Sequence, residues 1–428
     1  MDTVIKNAYV ITADSEDHVY ENGCVWVKDK RIHFVGDMAD APDTDGARMI
    51  DAHGAAVLPG FINTHTHIPM SLLRGIASDL PLKAWLEEKI YPAEAKLTGE
   101  AVYWGSMLSI LEMLAGGITC FSDMYFFSDD IAKAVHKSGI RAFLSSAIID
   151  SVPGGDKRLA RAVAFHRDWD GRGNIRVTMA PHAEYTVSAD LFRKIRHEAE
   201  KHKMRIHIHV SETEQEHKDC IKRNGKTPVG WLNGLGLLDL PVMAAHCVHV
   251  EDADMDIMAE KNVSVLSCPQ SNLKLASGVA PLQRMIKKGI TVSLGTDGAA
   301  SNDNQSMMEE MTLASLLQKG VYRDAENIPA RKALRMATIA GAEALGIAQE
   351  TGSIETGKRA DIVLLKTNGV RYTPKTDTLN NIVYSGSDHD IYLTMVNGEI
   401  LYENGVYAFI DAGEVKEKAN QYAAKILG

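Results

Sequence analysis

Apolar and polar positions divide the chain into three textures. Over residues 1 to about 57, apolar residues come in short runs broken by turn residues. Val4–Thr12 alternates weakly, and Cys24-Val25-Trp26-Val27 and Ile32-His33-Phe34-Val35 lie either side of Asp29-Lys30. Such runs predict short strands. From residue 58, strand-like runs alternate with amphipathic stretches of helical length. The predicted strands are Phe61–His65, Ile118–Asp123, Arg141–Ile149, Ile175–Pro181, Arg205–Val210, Val242–His246, Val263–Ser267 and Thr291–Gly295. Predicted helices between them include Glu100–Ala115, Ile131–Lys137, Ala189–His202, Asp252–Lys261, Pro281–Lys287 and Met307–Gln318. Repeated alternation implies parallel strands joined by crossover helices, and eight strands close a TIM-type barrel. After about residue 350 the strand texture returns in Ile354, Ala360–Leu365, Ile391–Val396 and Ile400–Tyr402, the last two split by the turn Asn397-Gly398-Glu399. Glu414–Leu427 reads as a closing helix. The expectation is an α/β chain: a (β/α)8 TIM-type barrel over residues 58–349, flanked by a small β-sandwich domain built from residues 1–57 and 350–428.

Composition narrows the partners. The chain has 428 residues, 45% hydrophobic and 24% charged, a balance suited to a soluble globular protein. Its formal net charge of −10, without a basic stripe, argues against nucleic acid. No apolar run reaches membrane-spanning length, and Met1-Asp2-Thr3-Val4-Ile5-Lys6 lacks the pattern of a secretory signal. Five scattered cysteines, with no Cys-x-x-Cys pair, suggest free thiols in a reducing cytoplasm and argue against a cysteine zinc cluster. The oligomeric state is left open, with room for a homo-oligomer.

The chemistry starts at Thr64-His65-Thr66-His67. Alternate side chains on a strand share a face, so His65 and His67 lie together and can ligate one ion. Alternatively, they are hydrogen-bonded core histidines. Active sites of such barrels lie at the C-terminal ends of the strands. There the fourth strand offers His182, the fifth His209 in His207-Ile208-His209, the sixth His246 and the eighth Asp297. Parity puts His207 on the same face as His209, but His209 is nearer the mouth. Chance placement of 16 histidines would rarely fill so many strand ends. His65, His67, His209 and Asp297 have the nitrogen and oxygen donors that suit zinc or iron(II). A set of four leaves room for water, whose pKa a bound metal lowers towards about 7. Glu212, just beyond the fifth strand, can shuttle protons there, unless it is a helix-capping or solvated glutamate.

Pro59–His67, His209-Val210-Ser211-Glu212, Ala245-His246-Cys247 and Leu294-Gly295-Thr296-Asp297 resemble the amidohydrolase superfamily. Met70–Gly75, Trp85-Leu86, Pro92-Ala93-Glu94 and Asn272-Leu273-Lys274-Leu275 are similar to its methylthioadenosine/S-adenosylhomocysteine deaminase branch. The resemblance runs nearly end to end, including Gly352-Ser353-Ile354 and Gly357–Val363. It implies one divalent metal, zinc before iron(II), held by His65, His67, His209 and Asp297. It implies that His246 contacts the attacking hydroxide or the substrate, that Glu212 protonates the ring nitrogen and that Asp297 takes the water's proton. It places Trp85 in the purine pocket, His182 on the substrate, Glu94 on the ribose hydroxyls and Arg158 on the substrate; Arg158 follows Gly154-Gly155 in a polar stretch after the third strand, where a barrel places a loop over its mouth. The fourth strand ends in Pro181-His182 and offers no bridging lysine, which favours one metal over two.

The implied activity is hydrolytic deamination of adenosine-type nucleosides to the inosine analogue and ammonia. Relatives acting on guanine, 8-oxoguanine, cytosine or triazines form a rival, against which Glu94 argues. A non-catalytic metal protein is a further rival, against which Glu212 and His246 argue. His182-Ala183-Glu184 matches the His-x-Glu of cytidine-type deaminases, but their Pro-Cys-x-x-Cys is missing.

Overall fold

The computed structural model describes residues 2–76 and 79–428. The fold is a (β/α)8 TIM-type barrel. Its strands are Phe61–Thr66, Ile118–Tyr125, Arg141–Ile148, the broken pair Ile175–Val177 and Ala180–Pro181, Ile206–Val210, Val242–His246, Ser264–Ser267 and Val292–Leu294. Neighbours pair in parallel within two arcs, the first four strands and the last four. Parallel bridges from Met179 to Ile206 and from Ala183 to His209 join the arcs on one side. On the other side, Asp297 N–H donates to the His65 carbonyl at 2.9 Å, and Thr64 Oγ1 donates to the Leu294 carbonyl at 2.8 Å. Gly295 permits this approach, since a Cβ there would lie 2.7 Å from the His65 nitrogen.

The helix Ala189–His202 follows its prediction, because its local signals agree with its packing. Ser188 caps it by accepting the Leu191 N–H, and Leu191, Phe192, Ile195 and Ala199 form its buried stripe. Several helices were not foreseen, among them Gly155–Trp169 and Glu214–Asn224. The first corrects the placing of Arg158 in a loop over the barrel mouth: it lies in a helix whose buried residues include Leu159, Ala162 and Phe165. The fourth strand is also shorter than expected, interrupted at Thr178-Met179.

Both ends of the chain enter one nine-stranded sheet. Ala56–Pro59 is its seam, running parallel to Thr3–Ile11 and antiparallel to Ile362–Leu365. These central strands are apolar on both faces, which explains the unbroken run Ile362-Val363-Leu364-Leu365. Val57, Ile362 and Leu364 pack with Ile5, Val10, Val25 and Leu393, whereas Leu58, Val363 and Leu365 join the barrel core. Beneath the barrel, the Arg141 guanidinium grips Asp361 through Nε at 3.0 Å and Nη2 at 3.2 Å. Thr351 Oγ1 and the Asn397 N–H also donate to that carboxylate. All five cysteines are buried and unpaired. No helix among the described residues is long and apolar enough to cross a membrane.

Candidate metal centre and active site

The strand ends converge on one cleft of about 440 Å³. His67, His182, His209, Glu212, His246 and Asp297 line it. His65 lies beneath, with no exposed surface. His67 Nε2 approaches Asp297 Oδ1 at 3.2 Å and His209 Nε2 at 3.4 Å, and His65 Nε2 is 3.4 Å from the same Asp297 oxygen. The opposite ring nitrogens are engaged elsewhere. His67 Nδ1 donates to the Met124 carbonyl at 2.5 Å, and His209 Nδ1 donates to the His182 carbonyl at 2.8 Å. The Nε2 atoms therefore present lone pairs, and His65 Nε2 is a buried atom without a hydrogen-bond partner. Burial also drives the His65 pKa down to about 3, keeping the ring neutral. Lone pairs and a carboxylate crowded into a buried site call for a cation, and this donor set fits zinc or iron(II). The same cluster brings His65 and His209 close to His246.

The groups around these donors are held firmly. Asp297 Oδ2 accepts from Ser271 Oγ at 2.7 Å and Ser301 Oγ at 2.8 Å. Asn272 Nδ2 donates to His246 Nδ1 at 2.9 Å, which leaves His246 Nε2 as the N–H facing the cleft, 3.8 Å from Glu212 Oε2. The chain turns after the fifth strand through Ser211, whose φ is 49°. Glu216 fixes that turn, accepting the Ser211 and Glu212 N–H groups at 2.9 and 2.7 Å. Burial, with the Asp297 charge adding to it, pushes the Glu212 carboxyl up to about 8.

The roof of the cleft comes from the segment 82–94. Trp85 and Leu86 lie on Trp85–Ile90, a turn of π-helix, a conformation frequent at functional sites. Trp85 is 4% exposed and its Nε1 has no partner among the described residues. Glu94 follows on Tyr91–Glu94, where Tyr125 Oη donates to its Oε1 at 2.6 Å. Burial raises the Glu94 pKa, and the Tyr125 hydroxyl opposes that rise. His182 Nδ1 pairs with Thr186 Oγ1 at 3.0 Å, and burial lowers the His182 pKa to about 4.

The sequence thus located eight cleft-lining residues and the buried His65, whereas Arg158 stands apart. Arg158 lines an adjoining depression of about 390 Å³ with Lys157 and Arg161. That depression shares Phe126 and Ala147 with the cleft. Arg158 Nη1 donates to the carbonyls of Ile149 and Pro153 at 3.2 Å and of Val152 at 3.4 Å. Tyr125, Ser271, Ser301 and Glu216 were not foreseen, since hydroxyls and a capping glutamate carry no distinctive spacing.

Comparison with known proteins agrees with this geometry. Residues 56–401 match the amidohydrolase family. The chain belongs to that family. It is 44% identical over 428 residues to a 5-methylthioadenosine/S-adenosylhomocysteine deaminase of Desulforamulus reducens, covering 99% of each chain. It is 42% identical to a 5'-deoxyadenosine deaminase of Methanosarcina mazei, over 100% of this chain and 98% of that one. Among solved structures, an adenosine deaminase from Xanthomonas campestris with bound zinc superposes with a TM-score of 0.95 at 36% identity, covering 100% of this chain and 98% of that one.

Proposed function

We propose that this amidohydrolase is a metal-dependent aminohydrolase that deaminates the adenine ring of adenosine-type nucleosides. Its substrates would be 5'-methylthioadenosine, S-adenosylhomocysteine and related 5'-substituted adenosines. The observation that carries this reading is the shared cleft. Glu94, suited to a ribose diol, stands in the same apolar pocket as Glu212, His246 and Asp297. The names of the relatives support the same substrate class.

His65, His67, His209 and Asp297 would hold one divalent cation, zinc before iron(II), which supplies a water acidified towards a pKa of about 7. Trp85 and the apolar roof exclude bulk solvent and line the purine pocket, while His182 contacts the substrate. Glu94 fixes the sugar through the two hydroxyls. Asp297 takes a proton from the water that attacks carbon 6. The Glu212 carboxyl gives a proton to the neighbouring ring nitrogen, so that the ring does not accumulate negative charge. His246, with Nε2–H towards the cleft, stabilises the oxygen added at carbon 6. The hydroxyl added at carbon 6 gives its proton back to Glu212 as the carbonyl forms, and ammonia leaves with the proton held by Asp297 or with the one relayed through Glu212. In this reading residues 58–349 do the chemistry, and residues 1–57 with 350–428 form the supporting unit. Incubation with the candidate nucleosides should shift the adenine absorbance and release one equivalent of ammonia. Release from guanine or cytosine but not from nucleosides would overturn the reading.

A further inference from the structure

The three converging imidazoles are oriented by different means. His67 and His209 donate to main-chain carbonyls, which the fold supplies whatever side chains surround them. His65 is different. Its Nδ1 lies 2.8 Å from His207 Nε2, and His207 Nδ1 lies 3.3 Å from Ser122 Oγ. His65, His207 and Ser122 have no exposed surface. The rings of His65 and His207 meet edge to face, with centroids 5.0 Å apart and planes at 81°.

The tautomers along this line follow from its inner end. A cation at the cleft needs the His65 Nε2 lone pair, so Nδ1 carries the hydrogen and donates to His207. His207 then accepts at Nε2 and donates from Nδ1 to Ser122. An apolar residue at 207 would leave the His65 N–H buried without an acceptor. The ring could then swap tautomer or tilt, and either change takes its lone pair off the metal position.

We propose that His207 is a positioning residue for the metal centre: through the line Ser122–His207–His65 it fixes the tautomer and ring plane of His65, and so the residence time of the cation. This rests on the metal-centre reading above. Outer hydrogen bonds of this kind typically change metal affinity by about 10–100-fold.

The test measures zinc transfer to a chromogenic chelator, together with the visible spectrum of the cobalt(II)-loaded protein. A wild type that takes up no zinc would overturn the metal-centre reading itself. If the wild type binds zinc, His207→Leu should release it about 10–100-fold faster and shift the cobalt spectrum. His207→Gln retains a carbonyl acceptor and should restore slow release. A merely space-filling role for His207 would give the opposite order, with the leucine variant better than the glutamine variant. Unchanged release from His207→Leu would also overturn the proposal. Should that variant fail to fold, Ser122→Ala decides: it frees the far end of the line and should still speed release, and an unchanged rate would reject the role.

Discussion

Tyr125 and Glu94 come from different elements yet meet in a short hydrogen bond, hydroxyl to carboxylate, at 2.6 Å inside the cleft. Tyr125 ends the second barrel strand, whereas Glu94 belongs to the roof. The contact ties the roof to the barrel and orients one carboxylate oxygen, leaving the other for a ligand.

Glu94→Ala should therefore weaken nucleosides far more than free adenine. A charged hydrogen bond is worth about 1.5–3 kcal/mol, and that loss should appear in kcat/KM for adenosine-type substrates. Tyr125→Phe should cost less in the same direction. Comparing nucleosides with the free base reads both effects, and a wild type that preferred free bases would refute the sugar role.

The metal count follows from the ligand set. Elemental analysis of the purified protein should find about one zinc-like ion per chain. Asp297→Ala should lose both ion and activity. Two tightly held ions per chain would contradict the single-site reading.

Glu212 is not in the ligand set. Glu212→Gln should keep its metal and still lose on the order of 10²–10⁴ in rate, the usual range for general acid–base catalysis. Metal content and turnover measured on one preparation separate the two effects. Near-normal turnover would place the proton shuttle elsewhere.

For Arg158 a contact seen in the structure is to be separated from a substrate role that is proposed. Arg158 holds the carbonyls of Ile149, Val152 and Pro153, in a segment of which Ile149, Ser151 and Val152 line the cleft. Arg158→Ala should lower kcat/KM for both S-adenosylhomocysteine and methylthioadenosine by loosening that loop. The first carries a carboxylate that a guanidinium can grip, so it should lose about tenfold more. Equal losses would leave only the loop-holding task.

The buried Arg141–Asp361 pair lies outside the cleft lining, so its loss should act on stability rather than chemistry. Removing one partner of a buried pair typically costs about 3–5 kcal/mol, because the other charge stays buried. Arg141→Leu should lower the melting temperature markedly, with the wild-type KM retained in the surviving folded fraction. An unchanged melting temperature would show that water relieves Asp361 locally.

The sequence carried the centre well because strand parity and strand ends place side chains almost by counting. His65, His67, His209, His246 and Asp297 follow from that rule. What lies one layer out followed no such rule. Tyr125 reaches Glu94 across a long sequence gap, and Ser271 and Ser301 reach Asp297 from helix and loop positions that periodicity does not mark. His207 was noted by parity, but its bond to His65 depends on how two strands face across the barrel. Arg158 was misplaced for a different reason. Gly154-Gly155 and the charges after them suggested a loop, although Leu159, Ala162 and Phe165 recur at helical spacing. The local polarity hid a stripe that buries against the barrel.

The seam strand Ala56–Pro59 also bears on biosynthesis. A growing chain makes Thr3–Ile11 and Ala56–Pro59 before the barrel, but the antiparallel neighbour of Ala56–Pro59, Ile362–Leu365, only after it. Throughout elongation that apolar strand has one bare edge, the kind of edge that recruits strands from other chains. Pairings between distant segments are slow to form and leave intermediates prone to aggregation. Ribosome-bound chains stopped short of residue 362 should accordingly stick to one another, whereas chains released after Ile391–Val396 has paired with Ile362–Leu365 should not.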